Sequence, residues 1–169
     1  MSKKLANVLV LFLFVTLTGC ASIVSGSGPQ AIPVNTNPSE ARLEVMDIMS
    51  GQPVLDAKTP HTMLLNRSAG YFKKKEYKIK VSKDGFMAQE KVLRPEVSGW
   101  YLGGNIIFGG LIGWFIVDPA TGAMYKFPED SISMILYPDT PDGRAAMKLE
   151  EERKAKEAAE KKAREEAEK

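Results

Sequence analysis

The only cysteine in 169 residues, Cys20, closes an N-terminal apolar run, and this arrangement decides which part of the chain is left to fold. Upstream, Ser2-Lys3-Lys4 forms a short positive stretch, and residues 5–15 are apolar except for Asn7. A run of this length is too short for a comfortable membrane span and ends in small residues, which is the pattern of a secretory signal. Residues 1–19 are therefore expected to be a targeting segment. Removing them leaves 150 residues, and setting aside a charged tail leaves about 120 for a folded body, enough for one domain. With no second thiol there is no internal disulfide, so packing alone must hold that body. One histidine and one cysteine leave no Cys/His zinc set, and neither a metal nor a cofactor is expected. The net charge of +2, from 23 Lys and Arg against 21 Asp and Glu, supplies no broad basic field, so no nucleic-acid partner is expected.

The four residues Leu17-Thr18-Gly19-Cys20 resemble the lipobox of bacterial lipoprotein precursors, which reads Leu, a small residue, Gly or Ala, then Cys. The resemblance implies that Cys20 is the lipidation site. It would be thioether-linked to diacylglycerol, become the new N-terminus on cleavage and then be N-acylated with a fatty acid such as palmitate. Several acyl chains hold far better than one, at about 0.8 kcal/mol per buried CH2. In such lipoproteins of Gram-negative bacteria, Asp directly after the Cys retains the protein at the inner membrane. Here Ala21 follows, which implies the outer membrane, facing the periplasm. Residues 20–30 are rich in Ser and Gly and read as a flexible tether with an average reach on the order of 18 Å.

From residue 31 the texture changes to short β-prone runs punctuated by Pro and Gly. Residues 32–35 are expected as a first strand, Asn37-Pro38-Ser39-Glu40 as a turn, and residues 41–46 as a second, alternating strand. Residues 49–53 read as a further turn, and Thr59-Pro60-His61-Thr62 leads into an apolar stretch over residues 63–65. The clearest strand covers residues 75–81, where Tyr77, Ile79 and Val81 face one way and Glu76, Lys78 and Lys80 the other. Ser82-Lys83-Asp84-Gly85 then makes a tight turn, and residues 86–93 return as the partner strand.

This succession is similar to the PEGA family of extracytoplasmic β-modules. The similarity rests on Asn37-Pro38-Ser39-Glu40-Ala41-Arg42-Leu43-Glu44-Val45, Gly51, Thr59-Pro60-His61-Thr62 and Tyr77-Lys78-Ile79-Lys80-Val81-Ser82-Lys83-Asp84-Gly85-Phe86, spanning residues 33–93. Family members carry a Pro-x-Gly-Ala-like opening, a mid-domain Gly, a Thr-Pro step and a closing Lys-x-Gly-Tyr turn. This chain departs from the pattern at Ser39-Glu40, which stands for a small residue and Gly, and at Phe86, which stands for Tyr. The resemblance implies a small antiparallel β-sandwich of the envelope, with no catalytic residues to carry over and a proposed role in binding surface carbohydrate.

Residues 100–117 are apolar apart from Asn105 and hold five glycines. Three readings stay open for this Gly-rich segment: a bilayer span, two buried strands broken at Gly109-Gly110, and a short buried or membrane-touching helix, which is preferred. Its combination with Asp118-Pro119-Ala120-Thr121-Gly122, expected as a turn, is similar to segments of small envelope lipoproteins. Residues 123–127 and 131–137 read as a final pair of strands. Beyond Pro138 and Pro141, residues 144–169 contain nine basic and eight acidic residues among alanines. Pairs such as Glu150 with Lys154, Glu152 with Lys156 and Glu157 with Lys161 have the i, i+4 spacing that supports a helix, while the missing apolar stripe argues against a coiled coil. The expected organisation is a signal over 1–19, a tether over 20–30, a β-rich body over 31–138 and a charged, low-complexity helical tail over 139–169.

Candidate chemistry is sparse. His61 follows Pro60 in what is expected to be a loop, with no nucleophile motif nearby. Asp47, Asp56, Asp84 and Asp118 stand singly and read as turn residues. The Gly-rich positions do not form a phosphate loop, and Asn66-Arg67-Ser68 is a formal glycosylation sequon without meaning in a bacterial envelope. Lys73-Lys74-Lys75 is a candidate for contact with anionic headgroups or glycan. The chain thus reads as a lipid-anchored, non-catalytic binding or structural protein of the cell envelope. Its partners would be the membrane through Cys20 and peptidoglycan or an envelope protein. The alternative is a membrane-inserting or oligomer-forming component of a secretion or transport assembly, working through residues 100–117.

Overall fold

A computed structural model describes residues 28–99, 101, 115, 116 and 118–167. The lipobox, most of the tether and most of the Gly-rich segment lie outside these residues. Among the described residues no helix is long and apolar enough to cross a membrane.

The body is mainly β. A four-stranded antiparallel sheet has the order β3 (Pro53–Lys58), β2 (Arg42–Asp47), β7 (Tyr77–Ser82), β8 (Gln89–Leu93). A three-stranded sheet has the order β11 (Ile132–Ile135), β1 (Gln30–Asn37), β4 (His61–Leu65). Two ribbons complete it: β5 (Ser68–Gly70) with β6 (Lys73–Lys74), and β9 (Glu96–Val97) with β10 (Tyr125–Lys126). Period-two alternation explains the core. Leu43 and Val45 on β2 and Tyr77, Ile79 and Val81 on β7 are buried while their neighbours face water. They share one cluster with Ile32, Val34, Met63, Leu65 and Ile132 of the other sheet, with Phe127 and Leu136 filling in. Each such side chain contributes about 1.5–3 kcal/mol by leaving water.

Several expectations need correction. Residues 123–127 and 131–137 do not pair with each other: β10 pairs antiparallel with β9, and β11 pairs parallel with β1 through Val34–Ile132 to Asn37–Ile135. A parallel pair needs a long crossover, and the rest of the body lies between these two strands in sequence. Pro53 opens strand β3 rather than only closing a turn, because proline is tolerated as the first residue of an edge strand. Asp56 consequently sits on that strand and not in a turn. β1 begins at Gln30, inside the stretch read as tether. Asp118-Pro119-Ala120-Thr121 forms a single helical turn, α1 (Asp118–Thr121), followed by Gly122 at φ 76°.

The charged tail forms α2 (Pro141–Ala167), inside the expected bounds of 139–169. Thr140 caps it: the Gly143 N–H donates to Thr140 Oγ1 at 3.2 Å, and Pro141 occupies the first helical position, where no N–H is needed. Gly143 is required by close approach, since a Cβ there would lie 2.1 Å from the Pro138 carbonyl oxygen. From residue 151 to 167 every residue is exposed. Glu150 meets Lys154 at 3.6 Å as its spacing suggests, whereas Glu157 is taken by Arg153 at 2.7 Å.

The two ends of the body are distinct. Gln30, Leu65, Asp47, Tyr77 and Leu93 mark one pole through the registers Gln30–Leu65, Asp47–Tyr77 and Tyr77–Leu93. At the other pole Phe86 bridges Pro138, the Asp139 N–H donates to the Gly85 carbonyl at 2.9 Å, and the Met87 N–H to the Tyr137 carbonyl at 2.9 Å. The chain therefore enters the body at one pole and α2 is rooted at the opposite one, separated by β1, about 23 Å of strand.

Candidate functional site

At the entering pole, short polar side chains hold irregular backbone. Phe127 lies outside the strands, yet Gln30 treats it like a sheet neighbour: the Phe127 N–H donates to Gln30 Oε1 at 3.0 Å, and Gln30 Nε2 donates to the Phe127 carbonyl at 3.2 Å. Arg67, buried just after β4, donates from Nη2 to the Gly28 carbonyl at 2.9 Å, and burial pushes its pKa down. A guanidinium clasp thus holds the segment just before β1. Beside it opens a cleft of about 570 Å³ whose polar lining is Gln30, Arg67, Glu96, Ser98, Lys126 and Asp130, with one wall formed by the β9–β10 ribbon. Lys126 and Asp130 pair across 3.3 Å. The cleft presents donors, acceptors and both charge signs beside the apolar Ala31, Val97 and Pro128.

The Lys73-Lys74-Lys75 run does not act as one patch. Lys73 and Lys74 are exposed on β6, with the Lys74 ammonium 6.0 Å from the Tyr125 ring centre. Lys75 turns inward to Asp47 at 3.2 Å. Asp47 is the last residue of β2 rather than a turn residue, and it also accepts from the Met49 N–H at 2.8 Å and the Ser50 N–H at 3.4 Å, so its side chain holds the turn that follows. Burial opposes its charge, but Lys75 and these two N–H groups outweigh that and hold the carboxyl below its usual range. Because the folded value is depressed, the stabilisation is full above the unfolded value near 3.8 and is lost as pH falls through the lower folded value. Asp47→Asn should flatten the acid limb of a stability–pH curve and cost about 1–3 kcal/mol at neutral pH, measured by urea unfolding at a series of pH values.

His61 lies not in a loop but at the start of β4, paired with Val34, beside a small apolar hollow lined by Val54, Leu55, Met63 and Leu64. Asp56 is exposed and paired with Arg42 at 2.6 Å on the outer face of the four-stranded sheet. Asp84 lies in the β7–β8 turn at the pole where α2 is rooted, and Asp118 is buried at the start of α1. These residues are thus not brought together. Among the described residues no group of three His, Cys, Asp or Glu could hold a metal. Cys20 lies outside them. Gln30 and Arg67 escape a reading of the sequence, since one looks like tether and the other sits in a meaningless sequon.

No family model, curated protein or solved structure matches the chain.

Proposed function

We propose that this chain is a lipid-anchored, non-catalytic binding or structural protein of the bacterial cell envelope. It would be held by Cys20 at the outer membrane and present its charged helix to peptidoglycan or an envelope protein. The observation that carries this reading is the polarity of the body. The chain arrives from the lipobox side at one pole, clasped by Arg67, and α2 leaves from the opposite pole. The helix adds about 40 Å of reach beyond the body. Such a layout suits a spacer that carries a contact surface away from the bilayer.

We further read the body as a PEGA-like β-sandwich. The buried faces of the two main sheets share one core, and the motif residues coincide with the crossings between them. Asn37-Pro38-Ser39-Glu40 joins β1 to β2, and Thr59-Pro60 joins β3 to β4. Glu40, which stands where the family carries Gly, has φ 59°. A left-handed Glu costs about 1–2 kcal/mol, and a Gly there costs about 0.5–1 kcal/mol in unfolded-chain entropy. Glu40→Gly should therefore stabilise the protein by about 0.5–1 kcal/mol, read as a higher denaturant midpoint.

The functional reading is tested by crosslinking in intact envelopes, followed by purification with and without peptidoglycan digestion. Crosslinked glycan or protein should be recovered with the full chain and lost when residues 151–169 are deleted. Recovery of uncrosslinked monomer alone from both chains contradicts the reading.

A further inference from the structure

We propose that the pole where the chain enters the body rests on an anionic lipid surface, through the β5–β6 hairpin tip Tyr71-Phe72, the adjoining Lys73 and Lys74, and Phe115 with Ile116. The orientation of this contact rests on the lipid-anchor reading, because the tether supplies the distance. Seven residues, and so eight Cα-to-Cα steps, separate Cys20 from Gly28. Fully extended they span at most roughly 28 Å, so lipid on Cys20 keeps Gly28 close to the bilayer. Gly28 is bonded to Arg67 at 2.9 Å, and the Arg67 carbonyl accepts from the Lys75 N–H at 3.2 Å. The hairpin between Arg67 and Lys75 is therefore rooted where the tether ends.

Its composition suits an interface between water and acyl chains. Tyr71 is 57% exposed and Phe72 44%, and their rings meet edge to face at 4.8 Å. Phe72 has φ 53°, an unfavourable backbone for a bulky residue, in a turn that leaves its ring in water. The Tyr71 hydroxyl donates to the Phe115 carbonyl, which joins this tip to Phe115 and Ile116, at 52% and 59% exposure. Ile48 and Met49, also exposed, lie at the same pole, where the Ile48 N–H donates to the Glu76 carbonyl at 3.1 Å. Exposed apolar side chains gathered at one place mark an interaction surface. What selects lipid as the partner is the charge beside them. Lys73 and Lys74 have no carboxylate within ion-pair distance among the described residues, and aromatic rings flanked by lysines match an anionic headgroup layer.

The test uses the full chain purified from membranes with an environment-sensitive fluorophore on Phe72→Cys, and on Ile116→Cys as a second position. Asp84→Cys at the opposite pole is the reference. The proteins are reconstituted in vesicles of phosphatidylcholine, with or without phosphatidylglycerol. Labels at 72 and 116 should be quenched by spin-labelled lipid in the anionic vesicles and shielded from aqueous iodide, with the reverse at 84. Lys73→Glu with Lys74→Glu should reduce the lipid quenching to its level in neutral vesicles. Iodide quenching at 72 and 116 equal to that at 84 overturns the proposal. So does protection from both quenchers, which would mean that protein covers the patch. Failure of the anchor reading shows separately, as labelling of Cys20 in the chain without an added cysteine.

Discussion

Replacing Cys20 with Ser should abolish incorporation of labelled palmitate and leave the chain with residues 1–19 still attached, visible as slower migration on a gel. The effect is expected to be all or none. Thioether formation has no substitute at a hydroxyl, and in the lipobox scheme cleavage follows lipidation. The lost stabilisation is large, because each palmitoyl chain contributes on the order of 10 kcal/mol of transfer into the bilayer. The variant should also leave the outer-membrane fraction. Unchanged labelling and mobility would remove the anchor from the account and return attention to residues 100–117 as the membrane-contacting part.

Phe127→Ala is the substitution expected to damage the body most. The side chain is fully buried, its ring centre lies 6.1 Å from that of Tyr77, and its backbone is held on both sides by the Gln30 amide. Loss of the ring should leave a cavity and cost about 3–5 kcal/mol. That corresponds to roughly 10–20 °C in melting temperature for a body of this size. Leu64→Ala, on a side chain 69% exposed, should change stability by no more than about 0.5 kcal/mol. Thermal unfolding followed by circular dichroism distinguishes the two. A loss below about 1 kcal/mol for Phe127→Ala would mean that the ring does not knit the entering pole to the core.

What the sequence reveals and conceals follows from the range of the forces involved. The alternation of Tyr77, Ile79 and Val81 is legible because a strand with one wet side repeats every two residues, and those residues are buried as the pattern requires. The helical tail is legible because propensity and i, i+4 charge pairs are local. By contrast, the parallel pairing of β11 with β1 joins residues about a hundred positions apart, and nothing local in Ile132–Ile135 names its partner. Strand β3 is hidden by Pro53 and by its edge position, where only Leu55 and Ala57 are half-buried. Thr140 caps α2, a role that its position just before Pro141 signals in retrospect. The clasp at the entering pole is concealed for a different reason. Gln30 and Arg67 act through side-chain hydrogen bonds to the backbone of distant residues, Phe127 and Gly28, and one polar side chain carries no period.

The proposed anchor depends on the fate of one sulfur atom, and an intact mass of the protein purified from membranes reads it directly. The expected mass is that of residues 20–169 carrying a diacylglyceryl group on Cys20 and an amide-linked acyl chain on its nitrogen. A mass equal to the uncleaved chain, or to a chain cleaved elsewhere with an unmodified thiol, would contradict it.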